Sequence, residues 1–299
     1  MVSLASSVSF GLIYYLTPFL APMSGEQVWA LRALIAIPAI ALVLVAMRNA
    51  WQITEVAARI RRTPILLLGL LVTGGILGLQ IWVFAWAPLN GQAKDVALGY
   101  FLLPLVLVVI GRFLYHDRMV WWQWLATGIA AVGVAYQLIT AGSIGWGTLL
   151  VALGYPIYFV LRRAMGTDHL GGMWWETTVT TPVACVVVVQ MVADGTVLAA
   201  NPALWWSGPG IGAFAAFALL LYVLASRMLS LSLFGLLSYV EPALLLVAAI
   251  LLGERIAAGE WFTYGAIWAA VLVLVFGGVS TLRKRRPGPM DVANPPPAT

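Results

Sequence analysis

Four side chains interrupt runs of apolar residues: Arg32, Gln80, Glu176 and Glu241. A charge or an amide in hydrocarbon is costly and is kept where it pairs, binds a solute or carries an ion. Arg32 lies a few residues below one end of its run. It either snorkels to the headgroups or faces a cavity and receives an anion. Gln80 lies at a similar depth in the next run, with Trp82, Trp86 and Asn90 following it. Rings and amides in that spacing suit an organic solute, and the rings equally suit a headgroup anchor. Glu241 sits near the middle of its run, where a carboxylate is too short to snorkel. It is either protonated and hydrogen-bonded or faces water or a cation, and such an acid can exchange protons with the medium. Pro242 beside it removes a backbone donor and frees a carbonyl one turn back. Glu176 falls in the first turn of its run and complements the helix N-terminus, with proton exchange as its alternative role. Tyr15, Tyr100, Tyr155, Tyr158 and Tyr239 lie deep enough that each hydroxyl must find a partner, and helix packing is the plainer reading for most of them. The expected solute set is therefore Arg32, Gln80, Trp82, Trp86, Asn90, Tyr100, Tyr158, Tyr239 and Glu241. Glu241 and Glu176 are the candidates for proton coupling, and Pro104, Pro156 and Pro242 for hinges.

Catalysis has less to work with. A membrane-embedded enzyme needs a nucleophile with a base, or a metal with ligands. The two histidines, His116 and His169, fall in connections of different halves, and no H-E-x-x-H, G-x-S-x-G or intramembrane acid pair is present. The expected catalytic and metal sets are empty, no cofactor is expected, and the chain reads as a non-enzyme. The single cysteine, Cys185, excludes an intramolecular disulfide framework.

The elements that carry these residues follow from composition. Of 299 residues, 62% are apolar and 9% charged, where a soluble domain carries about a quarter charged residues. The chain is expected to be an all-α integral membrane protein. A crossing helix needs about 20 mainly apolar residues. Charges, prolines and small polar clusters divide the chain into ten such runs: 2–20, 27–47, 65–86, 96–114, 120–139, 144–161, 173–193, 205–225, 232–252 and 260–281. The runs are apolar on every face, which excludes a barrel. The first lacks a basic leader and is not read as a cleavable signal. Residues 283–299, a basic cluster followed by prolines, read as a disordered tail.

Basic residues orient the spans. With the N-terminus in the cytoplasm, Arg48, Arg59, Arg61, Arg62, Arg112, Arg118, Arg162, Arg163, Arg227 and the cluster Arg283-Lys284-Arg285-Arg286 all fall inside, against Lys94 and Arg255 outside. Both termini are then cytoplasmic. The halves also resemble each other: Asp117-Arg118 and Trp124 match Glu254-Arg255 and Trp261, with Pro104 and Pro242 upstream. Residues 1–140 and 141–282 read as two five-helix repeats. Five is odd, so they insert with opposite polarity, as in carriers that alternate around a midplane site.

Particular motifs resemble a known family. Leu98-Gly99-Tyr100-Phe101-Leu102-Leu103-Pro104, Gly111 and the Asp117-Arg118 turn resemble the EamA branch of the drug/metabolite transporter superfamily. Phe84-Ala85-Trp86-Ala87 through Asn90-Gly91 is similar, more narrowly, to the RarD-like permeases. Ser238-Tyr239-Val240-Glu241-Pro242 with Gly253-Glu254-Arg255 is similar to the second EamA repeat. The resemblance covers nearly the whole chain. It departs from the RarD pattern at Leu31, where His is common, and at Gln80 and Leu103, where Asn is usual. Glu241 takes a position that is often small and apolar.

The chain thus reads as a secondary-active transporter of the plasma membrane that moves a small organic solute (a metabolite, an amino acid or a drug-like compound) by alternating access. No Walker motif points to ATP. A non-transporting sensor or a channel-like facilitator is the alternative. Expected partners are the solute and membrane lipid, and nucleic acid is not among them.

Overall fold

The structure is a computed structural model that describes residues 1–89, 93–141, 145–229, 233–234, 237, 240–251, 259 and 261–284. Its helices are α1 (Val2–Leu16), continued by a 3-10 turn (Thr17–Leu20), α2 (Gly25–Ala46), α3 (Trp51–Arg62), α4 (Ile65–Leu89), α5 (Ala93–Phe113) and α6 (Trp121–Ala141). The second half supplies α7 (Trp146–Met165), α8 (Leu170–Asp194), the short α9 (Thr196–Ala200), α10 (Leu204–Met228), α11 (Val240–Leu251) and α12 (Trp261–Lys284). No strand occurs among the described residues. Among the described residues, five helices are long and apolar enough to cross a membrane: Gly25–Ala46, Ile65–Ala87, Trp146–Met165, Leu170–Asp194 and Leu204–Met228. Val2–Leu16, Gly99–Phe113 and Trp261–Val273 are shorter apolar helices.

Local chemistry sets the ends. Ser24 opens α2 with a capping box, its hydroxyl accepting from the Gln27 amide while Gln27 Oε1 accepts from the Ser24 amide. His169 caps α8 through Nδ1, which accepts from the Gly172 amide at 3.2 Å. Gly166 ends α7 at φ 61°, a left-handed conformation that a Cβ would strain. Apolar side chains cover the outside: Leu67, Leu68, Leu71 and Val72 of α4 are exposed, as are Val183, Val186 and Val189 of α8. Such a surface costs nothing when it faces lipid.

Two features differ from the sequence expectation. The connection after α2 is helical: α3 is amphipathic, turns Gln52 and Val56 inward, and packs on α8 and α4. Helix α8 begins at Leu170 rather than near 173, so Glu176 lies in its second turn and His169 makes the cap. Residues 285–299, most of the expected tail, lie outside the described residues, as does most of the 253–260 connection.

The helices pair across the halves in a regular way. α2 packs on α8 and α6 on α12. α5 packs on α7 as α1 does on α11; α1 packs on α10 as α4 does on α7; α2 packs on α10 as α4 does on α8. At the α6–α12 seam the Thr263 hydroxyl donates to the Gly133 carbonyl and to Gln137 Oε1, at 3.2 and 3.0 Å.

Candidate functional site

A cavity lies among eight helices. Its described lining comes from α1 (Phe10), α2 (Trp29, Arg32, Ala33, Ala36), α4 (Gly74, Leu77, Gly78, Ile81, Phe84) and α5 (Tyr100). The second half contributes α7 (Tyr155), α8 (Glu176, Thr177, Thr180), α10 (Ala215, Ala216, Leu219) and α11 (Glu241). Neither α6 nor α12 contributes a described lining residue. A smaller adjoining space runs between Phe10, Tyr100, Leu103, Tyr155, Tyr222, Glu241 and Pro242.

Arg32 faces this cavity and is only 8% exposed. The headgroup-anchor alternative therefore does not describe its position. Its Nε and Nη2 are buried and have no hydrogen-bond partner among the described residues. Tyr100 and Tyr155 line the same cavity. Glu241, in the first turn of α11, lines the same cavity at 8% exposure. Arg32 and Glu241 form no ion pair within 4.0 Å among the described residues. The cavity wall also carries aromatic rings. Phe84 meets Tyr100 edge-on at 5.7 Å between ring centroids, and Phe10 meets Tyr222 at 5.8 Å.

Glu176 also reaches the cavity wall, and its carboxylate is held from behind. Oε1 lies 3.2 Å from Arg162 Nε, an ion pair whose angle falls outside hydrogen-bond geometry, since both atoms lack a directional partner. Oε2 accepts from the Tyr158 hydroxyl at 3.1 Å, and that hydroxyl accepts from Arg162 Nη1 at 3.0 Å. Arg162 Nη2 donates to the Thr167 and His169 carbonyls at 2.9 and 2.8 Å. Arg162 is 1% exposed and Glu176 fully buried. The guanidinium thus ties α7, the following turn and α8 into one unit. Tyr158, expected to contact solute, takes part in this network and is not among the described lining residues of the cavity.

The connection α3 closes over this unit. The Gly171 amide donates to Gln52 Oε1 at 3.1 Å and Trp175 Nε1 donates to the Ile53 carbonyl at 3.0 Å. Arg59 Nη1 donates to the Gly166 carbonyl at 3.0 Å. His169 Nε2 lies 3.6 Å from Glu55 Oε2. Burial shifts the His169 pKa below its ordinary value, with the Glu55 carboxylate opposing that shift.

Gln80, Trp82 and Trp86 are placed as framework and are not among the lining residues. Gln80 is fully buried, and its amide donates to the Leu150 carbonyl of α7 at 2.7 Å. Gly154, one turn beyond, makes this possible: a Cβ there would collide with Gln80 Nε2. Trp82 Nε1 donates to Glu26 Oε1 at 3.0 Å, and its ring stacks on Trp86 at 5.2 Å, which in turn meets Trp146 at 5.4 Å. Pro104 and Pro156 are buried inside α5 and α7, and Pro242 lies in the first turn of α11. Asn90 and Tyr239 lie outside the described residues. Sequence reading missed Tyr155, Thr177, Thr180 and Trp29 as cavity residues. Tyr155 and Tyr158 both read as deep tyrosines, and only the packing of α7 separates their roles.

No group of three or more potential metal ligands occurs among the described residues. No protein-family model matches the sequence. The chain is 38% identical to the chloramphenicol-sensitive protein RarD of Pseudomonas aeruginosa, over 95% of this chain and 96% of that protein. It is 31% identical to an uncharacterized transporter of Pasteurella multocida, over 95% of this chain and 98% of that one. A solved crystal structure shares the fold with a TM-score of 0.62 at 15% identity, covering 95% of this chain and 99% of the other. With its apolar helices and these relatives, the chain belongs to the RarD-like permeases, a family of membrane transporters.

Proposed function

We propose that this chain is a ten-helix secondary-active carrier that moves a small organic solute across the inner (plasma) membrane by alternating access. The observation that carries this reading is the cavity. It draws four helices from residues 1–140 and four from 141–282, and places Arg32 and Glu241 on walls of otherwise apolar and aromatic character. Helix pairing supports two repeats. Exchange α1 with α7, α2 with α8, α4 with α10, α5 with α11 and α6 with α12. Each cross-half packing described above, that of α3 on α8 excepted, then maps onto itself or onto another. Repeats inserted with opposite polarity generate two mirrored packings of the same site, the basis of alternation. The tail 283–299 and both termini are cytoplasmic in this reading, on the strength of the basic-residue bias.

Glu241 is the coupling residue. It is a buried acid on the cavity wall with no ion-pair partner within 4.0 Å among the described residues, so its charge state depends on which side the cavity opens toward. Glu176, fixed by Arg162 and Tyr158, is retained as the lesser candidate. Tyr100 joins Arg32 and Glu241 in contacting solute. Gln80, Trp82, Trp86 and Tyr158 hold the walls, and Pro104, Pro156 and Pro242 are where the helices bend. The relatives are named as transporters, which suggests that the chain is not an enzyme.

The experiment is uptake of a labelled metabolite panel by purified protein in liposomes, with and without a pH gradient. Saturable uptake of at least one solute is expected. Glu241→Gln should keep exchange and lose gradient-driven accumulation. Undiminished accumulation by Glu241→Gln would remove the coupling role, and absence of uptake across the panel and the gradient would count against the carrier.

A further inference from the structure

Two arginines are buried in the helical body, and they differ in one respect. Arg162 has its guanidinium surrounded by acceptors: a carboxylate, a tyrosine hydroxyl and two carbonyls. Arg32 has none on one edge among the described residues. Its Nε and Nη2 are buried, have no hydrogen-bond partner there, and belong to a side chain that lines the cavity. An unsatisfied buried donor is costly, and more so when charged. Arg162 Nε at least faces the Glu176 carboxylate at 3.2 Å, whereas the open edge of Arg32 faces the cavity and has no acceptor among the described residues.

Nε and Nη2 are adjacent on one side of the planar guanidinium. Their N–H bonds run parallel, at the spacing of the two oxygens of a carboxylate. We propose that this edge of Arg32 receives the carboxylate of a monoanionic solute whose body is apolar or aromatic. The body is specified by the rest of the wall, where Phe10, Trp29, Phe84, Tyr100 and Tyr155 present rings to the same space. The single charge is specified by what else lines it. Arg32 is the one cation among the described lining residues, while Glu176 and Glu241 are acids. A dicarboxylate or a phosphate ester would bring its second charge against them. This assignment rests on the cavity being the solute site, but its test requires no transport.

The test is calorimetric titration of the full chain in nanodiscs of phosphatidylcholine alone, so that no lipid carboxylate competes. The probes are phenylacetate and its neutral isostere phenylacetamide. The wild type is expected to bind the acid at least about tenfold more tightly than the amide, the scale of a bidentate charged hydrogen bond. Arg32→Gln is expected to abolish that preference, and Arg32→Lys to restore it in part. Equal binding of acid and amide by the wild type overturns the proposal. So does no saturable binding of the acid at millimolar concentration, or undiminished acid preference in Arg32→Gln. The acid–amide comparison is made on the wild type, so misfolding of a variant does not remove the test. Acid binding without liposome uptake of any solute would instead count against the carrier reading and leave the carboxylate site standing.

Discussion

Replacing Arg162 by methionine removes the guanidinium and keeps much of its volume. The consequence follows from what remains. Glu176 is fully buried, and its partner across 3.2 Å is gone. Leaving a buried charge without its partner costs about 3–5 kcal/mol. The Thr167 and His169 carbonyls also lose a donor at 2.9 and 2.8 Å, each worth about 1 kcal/mol or somewhat more. These losses are not additive, and a total of roughly 4–6 kcal/mol is expected. A typical domain has only about 5–15 kcal/mol in hand, so Arg162→Met should fall close to unfolding. Pairing it with Glu176→Gln removes the stranded charge and should recover much of the loss, because a buried ion pair replaced on both sides is often near neutral. The assay is denaturant unfolding of the purified protein in one detergent, run as a double-mutant cycle. A cost below about 1 kcal/mol for the single variant would refute the reasoning. So would a double variant no more stable than Arg162→Met, because the coupling between the two charges would then be absent.

Three further outcomes follow from the geometry. Gly154→Ala should drive the Gln80 amide off the Leu150 carbonyl and destabilise by about 1–3 kcal/mol, read as a lower melting temperature; an unchanged melt would mean that α4 and α7 separate without cost. His169 caps α8 through an unprotonated Nδ1, and burial holds its folded pKa below the ordinary value of 6.5. The unfolded state therefore binds the proton first, and the His169 contribution, complete above 6.5, is lost as the pH falls through the lower folded value. His169→Asn, which can still cap, should flatten that part of the stability curve, and an identical pH dependence would contradict it. In a Cys185→Ser background, an impermeant maleimide applied outside the cell should label Ala257→Cys and leave Arg61→Cys untouched. The reverse pattern would invert the topology.

Much of the helical architecture can be read from the chain because hydrocarbon imposes one requirement on every span, a long apolar run. Each described helix from α4 to α8 begins and ends within a few residues of where charges, prolines and glycines divide the sequence. Helix α3 escaped because its residues are polar and few. Its one signal was Gln52 and Val56 at a four-residue spacing, the pair that turns inward. For the site, candidate residues were legible and the direction of their side chains was not. Arg32 and Gln80 both interrupt apolar runs, yet Arg32 faces the cavity while Gln80 clamps α4 to α7. Arg162 reads as one of a basic pair at a helix end. Its partner Glu176 stands beyond a turn, and no local spacing connects them. Tyr155 and Tyr158 are three residues apart on one helix, and only the neighbours decide that the first lines the cavity and the second feeds the Glu176 network.

Alternating access through this cavity can be measured at one position. Ala36 lines the cavity, is buried, and is small enough to become cysteine without repacking. With Ala36→Cys in the Cys185→Ser background, reconstituted in one orientation, an impermeant maleimide should react when applied from either side of the membrane, and solute should slow both reactions. Reaction from one side alone, while solute uptake continues at its normal rate, would contradict the account.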